Sequence, residues 1–214
     1  MFTVCTWKEI EEFERKVENK EIVVFLFVRP TCSGATEIIR DFDYLHLNAA
    51  SYCSVYAIGY SDKEPCMPDF RFQKADTTFA KTWYFSMEAF TGFKNRLEER
   101  ISWKYSGENE VLILQNNPGK PNVLNFSNYV SINVNKGIRD GYLDSFAGFM
   151  EALVRNARKH VTAADAIDGV VSERISIKSV MMHTITDCKA VPTSVQKIIK
   201  DRLFYRSARH TGSF

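Results

Sequence analysis

Glycine and proline are scarce in this chain of 214 residues, at ten and six, and the five cysteines include no Cys-x-x-Cys pair. The scarcity excludes a collagen-like or low-complexity chain, and the odd, scattered cysteines exclude a disulfide miniprotein. Long apolar runs are also missing: the longest is Ile22–Val28, seven residues, against roughly 20 for a spanning helix. No membrane insertion is expected. The opening MFTVCTWKEIEEFERK goes straight into charge, without the apolar stretch of a signal peptide, so the cytoplasm and reduced thiols are expected. The four histidines (His46, His160, His183, His210) are isolated from other ligand types, so no metal is expected. No G-x-x-x-x-G-K or G-x-G-x-x-G occurs. Asn117-Pro118-Gly119-Lys120 reads as a hairpin turn without the helix that phosphate binding requires, so no nucleotide or other cofactor is expected.

What is present suits one sizeable core: 45% of residues are hydrophobic and 25% charged. The net charge of +2 is unevenly spread. Lys189, Lys197, Lys200, Arg202, Arg206 and Arg209 face only Asp201 within 189–214, which leaves a mildly acidic body and a basic tail.

Periodicity supplies the elements. Thr6 and Glu9 have the spacing of a capping box, and Trp7, Ile10, Phe13 and Val17 predict a helix from Trp7 to about Asn19. Ile22–Val28 predicts a strand buried on both faces with neighbours on each side. The sequence Arg29-Pro30-Thr31-Cys32-Ser33-Gly34 ends that strand. Ile38, Ile39, Phe42, Leu45 and Leu47 then predict a helix over about Ala35–Ala50, followed by a strand at Ser54–Tyr60.

Ser61–Asp76, with two prolines, reads as loop, and the aromatic stretch Thr78–Arg100 as one helix or two broken near Gly92. Its aromatics suit core packing, with a partner-facing surface as the alternative. Ser106-Gly107 is a turn. Val111–Leu114 and about Val123–Val134 predict a hairpin around Asn116–Pro121. Leu143–His160 has a clear apolar helical face. Beyond it, a short helix is expected to about Ser172, Glu173–Asp187 is ambiguous, and Val195, Ile198, Ile199 and Leu203 predict a last helix at Val195–Phe204 with Lys197, Lys200 and Arg206 around it.

This order of helix, buried strand, Pro-Thr-Cys loop, helix, strand, helical stretch, hairpin and closing helix resembles the thioredoxin-like superfamily over about three quarters of the chain. The resemblance implies an α/β fold: a thioredoxin-like mixed sheet flanked by helices in 1–160, with a C-terminal basic, helical extension in 161–214. It also places Cys32 where such proteins carry their nucleophile. A sulfur anion just before a helix is favoured by the helix's unpaired N–H groups, and Arg29 would add to that. Ser33, Gly34 and Thr36 keep the approach small and polar. The resolving position holds Ala35, and Gly107-Glu108-Asn109-Glu110 has no proline where the family places a cis-proline. Dithiol exchange is therefore not expected.

The leading functional expectation is a non-catalytic interaction or regulatory protein that binds a protein partner through Arg29 and Thr31 or through Lys197, Lys200, Arg202 and Arg206. A monothiol oxidoreductase with Cys32 as catalytic nucleophile is the alternative. A nucleic-acid module using the basic tail comes third, poorly supported by the near-neutral total charge.

Overall fold

The computed structural model describes residues 2–4, 7–17, 22–49, 52–63, 71–77, 81–117, 120, 123–141, 143–157 and 205–208. Strand β1 (Phe2–Val4) precedes helix α1 (Trp7–Lys16), which buries Trp7, Ile10 and Glu14. Every residue of β2 (Ile22–Phe27) is buried, as its unbroken apolar run predicts. Two short helices follow, α2 (Ala35–Arg40) and α3 (Phe42–Ala49), where the sequence predicts one. The apolar stripe continues through Ile38, Ile39, Phe42 and Leu45. The interruption falls just before Phe42, whose ring sits edge-on between Tyr60 and Trp83.

Strand β3 (Cys53–Ile58) lies parallel to β2, with Ile22 opposite Cys53 and Leu26 opposite Ala57. It turns at Gly59 into β4 (Tyr60–Ser61). Gly59 has φ +82°, and a Cβ there would lie 2.9 Å from the Phe90 Cβ, so both the backbone conformation and the packing demand glycine. The stretch expected to be loop contains β5 (Gln73–Thr77), and the aromatic stretch opens with β6 (Thr82–Phe85) before α4 (Met87–Arg100) begins. Alternating burial of Trp83 and Phe85 marks β6 as a strand, but four residues are too short for period two to stand out beside a longer helical pattern. Helix α4, capped by the Ser86 hydroxyl accepting the Ala89 N–H, passes Gly92 without a break. Trp83, Phe85, Phe90 and Phe93 are core residues.

Strands β7 (Glu110–Asn116) and β8 (Leu124–Asn133) form the expected antiparallel hairpin. Asn133 then caps a helix the sequence reading missed, α5 (Val134–Arg139), its side-chain oxygen accepting the Lys136 N–H at 2.8 Å. The expected late helix is α6 (Phe146–Ala157). The last described element is a strand, β9 (Tyr205–Ala208), antiparallel to β8. Arg206, expected around the terminal helix, is in a strand opposite Ser131, because β8 presents an edge of unpaired backbone groups that an extended segment can satisfy. The short helix expected to Ser172, the stretch 173–187, the helix at 195–204 and Lys197, Lys200, Arg202 and Arg209 lie outside the described residues.

The chain is therefore mixed α/β, with a main sheet in the order β1-β3-β2-β7-β8-β9 and a small sheet β4-β6-β5. Strands β1, β3 and β2 are mutually parallel, and β7 runs antiparallel to β2. Central placement of β2 agrees with its apolar composition. Phe25 meets Trp7 of α1 and Phe93 of α4, while Phe27 meets Phe90 and Trp103. No helix among the described residues is long and apolar enough to cross a membrane.

Candidate functional site

Cys32 sits in the loop that leaves the β2 end of the sheet. The loop folds into a turn, with the Cys32 N–H donating to the Arg29 carbonyl at 2.9 Å and the Ala35 N–H to the Cys32 carbonyl at 3.1 Å. Gly34, at φ +73°, caps α2, so Cys32 lies two residues before the cap. The sulfur is half-buried and donates to the Gly107 carbonyl at 3.4 Å, across the gap to the loop before β7. Arg29 reaches the same carbonyl through Nη2 at 2.5 Å and places its guanidinium 5.6 Å from the Tyr105 ring centre. Thr31 and Ser33 are exposed beside them.

Two asparagines fix this loop against the sheet. Asn109 and Asn135 both donate their side-chain amides to the Ser33 carbonyl, at 2.8 and 2.9 Å. Asn135 also accepts the Asn109 N–H at 3.2 Å. The facing loop is held by carboxylates: Glu110 accepts the Trp103 indole N–H at 2.9 Å and the Ser106 N–H at 3.0 Å, and Glu98 accepts the Tyr105 N–H at 2.9 Å. Gly107 and its carbonyl are therefore pinned from both sides. Among the described residues there is no cis peptide bond, and Asn109 occupies the position immediately before β7.

Several buried polar atoms here lack hydrogen-bond partners: the hydroxyls of Tyr60 and Tyr105, Arg29 Nε and Asn109 Oδ1. Tyr60 is fully buried. Its neighbours in the core are aromatic, Phe42 and Phe85 with ring centres at 5.1 and 4.9 Å, and Phe90 carries the stack on to Tyr105 at 5.5 Å. Burial raises the pKa of Tyr60 far above an ordinary phenol, and the nearby Cys32 and Tyr105 raise it further when charged. Burial and Cys32 likewise raise that of Tyr105, against the pull of Arg29. Both phenols are therefore neutral hydrogen-bond donors. Arg29 has its pKa raised: burial opposes its charge, but Tyr105 and Cys32 more than offset that opposition. Arg29 Nε and the Tyr105 hydroxyl feel each other and the sulfur without meeting hydrogen-bond geometry. Unpaired buried groups each cost about 1–3 kcal/mol, so a cluster of them next to a thiol calls for a use.

Of the residues singled out in the sequence, Arg29 and Cys32 come together, and Thr31 flanks them. Arg206 lies at the β8 edge. Sequence reading missed Tyr60, Tyr105 and Asn109, since a tyrosine ending a strand or a turn gives no periodic signal of its own. Cys53 is buried opposite Ile22, whereas Cys32 follows the other end of β2. That separates the two by about 15 Å of strand, beyond the roughly 4.4–6.8 Å a disulfide spans. No cluster of three or more metal-ligating side chains occurs among the described residues. No protein-family model, no curated protein and no solved structure matches the chain.

Proposed function

We propose that the chain has a thioredoxin-like fold and acts as a single-thiol protein, with Cys32 taking up and releasing one external thiol as a mixed disulfide. The sheet order β1-β3-β2-β7-β8, three parallel strands followed by an antiparallel hairpin, supports the fold reading. The observation that carries the chemistry is a half-buried Cys32 beside Arg29, with buried Ala35 three residues on. In the exchange, the Cys32 sulfur attacks one sulfur of an external disulfide such as oxidised glutathione. An S–S bond to Cys32 forms, the external S–S bond breaks, and one glutathione leaves as its thiolate. A further external thiol reverses the step.

Incubating the full chain with oxidised glutathione and measuring intact mass tests this reading. One glutathione adduct mapping to Cys32 and absent from Cys32→Ser is expected, together with negligible reduction of insulin-type disulfides. An internal disulfide to Cys32, or no adduct at all, would overturn it. A second reading, a non-catalytic protein docking a protein partner through Arg29 and Thr31, is favoured by the Cys32 thiol already donating to Gly107. The absence of any adduct would leave that reading.

A further inference from the structure

The β8 edge of the main sheet is closed by a very short strand that comes from far along the chain. Tyr129, Val130, Ser131 and Ile132 of β8 lie opposite Ala208, Ser207, Arg206 and Tyr205 of β9. Strand β9 ends the sheet and pairs with no other described strand. The paired stretch is bounded at both ends. On one side the β7–β8 register jumps, with Leu114 opposite Tyr129 but Gln115 opposite Asn125, so residues 126–128 stand out of the ladder as a bulge. On the other side Asn133 caps α5 and the chain leaves the strand. The four residues between are buried, Val130 and Ile132 at 1% and 0% exposure. They include neither a charge nor a proline, two of the devices that keep foreign strands off an edge. This slot has to be covered, and an extended antiparallel segment of matching register covers it.

We infer that the slot is an interaction surface whose partner is a second copy of this chain: β9 of one copy pairs with β8 of the other, and the exchange is mutual. Residues 158–204, 47 positions, separate α6 from β9. At the 1.5 Å rise of an α-helix such a length spans about 70 Å, against a radius of gyration of about 17 Å for a compact chain of 214 residues. The connection is thus long enough to reach a neighbouring molecule. Bringing the ends of so long a connection together carries an entropic cost that grows with its length. Pairing within one chain therefore holds only a limited advantage over pairing between chains once copies are concentrated. The exchange loses no pairing, since each β8 edge keeps the same four-residue strand in the same register. An unrelated segment would have to match that register, whereas Tyr205–Ala208 of a second copy matches it already. Nothing in this inference depends on the chemistry of Cys32.

The test places Ser131→Cys and Arg206→Cys in separate full-length chains. Residues directly opposite each other in an antiparallel pair have Cα atoms about 4.5–5.5 Å apart, within the span of a disulfide. The two chains are incubated together in equal amounts and oxidised, and the cross-links are identified by peptide mass mapping, which separates them from any formed by the native cysteines. A disulfide joining position 131 of one chain to position 206 of the other is expected. Its yield should rise several-fold when the protein concentration is raised tenfold. Adding Ser207→Pro to the Arg206→Cys chain should lower it several-fold, because proline removes a backbone donor from β9. One chain carrying both Ser131→Cys and Arg206→Cys serves as the second variant and should close an internal disulfide at low concentration. An internal disulfide there with no cross-link between chains at any concentration would overturn the inference, as would a cross-link that Ser207→Pro leaves unchanged. Failure of the doubly substituted chain to close its disulfide would overturn the pairing on which the exchange rests.

Discussion

Two buried polar clusters among the described residues are built on opposite terms. Glu14, fully buried in α1, has both carboxylate oxygens engaged: Oε1 accepts from the Tyr56 hydroxyl on β3, and Oε2 from the Asn116 amide on β7 at 2.7 Å. The Asn116 amide also reaches the Glu14 carbonyl at 3.3 Å, leaving Asn116 Oδ1 as the atom without a partner there. One carboxylate thus ties a helix to two strands. Around Cys32, by contrast, two phenols and a guanidinium nitrogen are buried with no acceptor. A satisfied network rigidifies and specifies a core, whereas an unsatisfied one costs stability and persists where something else uses it. The contrast separates a joint of the scaffold from a site.

The sharpest way to break it is at Glu14. Glu14→Ala takes the carboxylate acceptor from the Tyr56 hydroxyl and from the Asn116 amide, which keeps only its longer bond to the Glu14 carbonyl, so it should cost about 3–5 kcal/mol, at about 1–3 kcal/mol or more for each buried donor deprived of a charged acceptor. Urea denaturation measures this, and adding Tyr56→Phe should recover part of the loss. A cost below about 1 kcal/mol would mean that the network is no joint. Next comes Gly59→Ala, at the turn that delivers Tyr60 to the site. The +82° φ and the approach to Phe90 at 2.9 Å together predict a loss of about 2–4 kcal/mol from left-handed backbone and overpacking. The same urea measurement checks this, and a loss below about 1 kcal/mol would mean that the turn accommodates a Cβ.

These positions differ in how far sequence reveals them. The run Ile22–Val28 announced a central strand because seven consecutive apolar residues suit only a place covered on both faces. The helix at 146–157 and the hairpin of β7 and β8 were legible for similar reasons, a long period and a strong turn signal. Short elements were not: β5 and β6, at five and four residues, offer too few repeats for a period to stand out. Asn133 as the cap of α5 was readable in principle, but a capping asparagine followed by six helical residues is easily absorbed into the strand before it. Half of the candidate site was visible, since Cys32 and Arg29 share one loop. Tyr60 arrives from β4, and Tyr105 and Asn109 from the segment between α4 and β7, and only chain topology brings them there.

Tyr60→Phe gives a smaller effect of opposite sign to Glu14→Ala. The substitution removes a buried hydroxyl with no partner and keeps the ring against Phe42 and Phe85. The reduced protein should therefore gain up to about 1 kcal/mol, the recovered part of an unpaid hydrogen bond. A loss of 1 kcal/mol or more in the reduced chain would show that the hydroxyl is satisfied after all, and the comparison with Tyr56 would collapse.

The smallest effect should come from Glu108, which steadies the loop carrying Gly107. Its carboxylate accepts from Asn133 at 2.7 Å and from Arg139 at 3.2 Å. The Asn133 hydrogen bond, and then Arg139, hold its pKa below the ordinary 4.5, against the opposing effect of burial. A carboxyl depressed in the folded state adds stability that is fully present above the unfolded value and lost as pH falls through the folded one. The window thus opens just under pH 4.5 and extends downward. Because the Glu108 side chain is 36% exposed, solvent screening reduces the contribution to about 0.5 kcal/mol. Glu108→Gln should lower stability by that amount at pH 7 and leave it nearly unchanged at the acid end of the window, where the parent carboxyl is itself protonated. Urea midpoints measured across that window distinguish the cases. A constant difference between the two proteins at every pH would mean that Glu108 acts through shape rather than charge, and the loop that presents Gly107 to Cys32 would then owe nothing to its acidic clasp on this side.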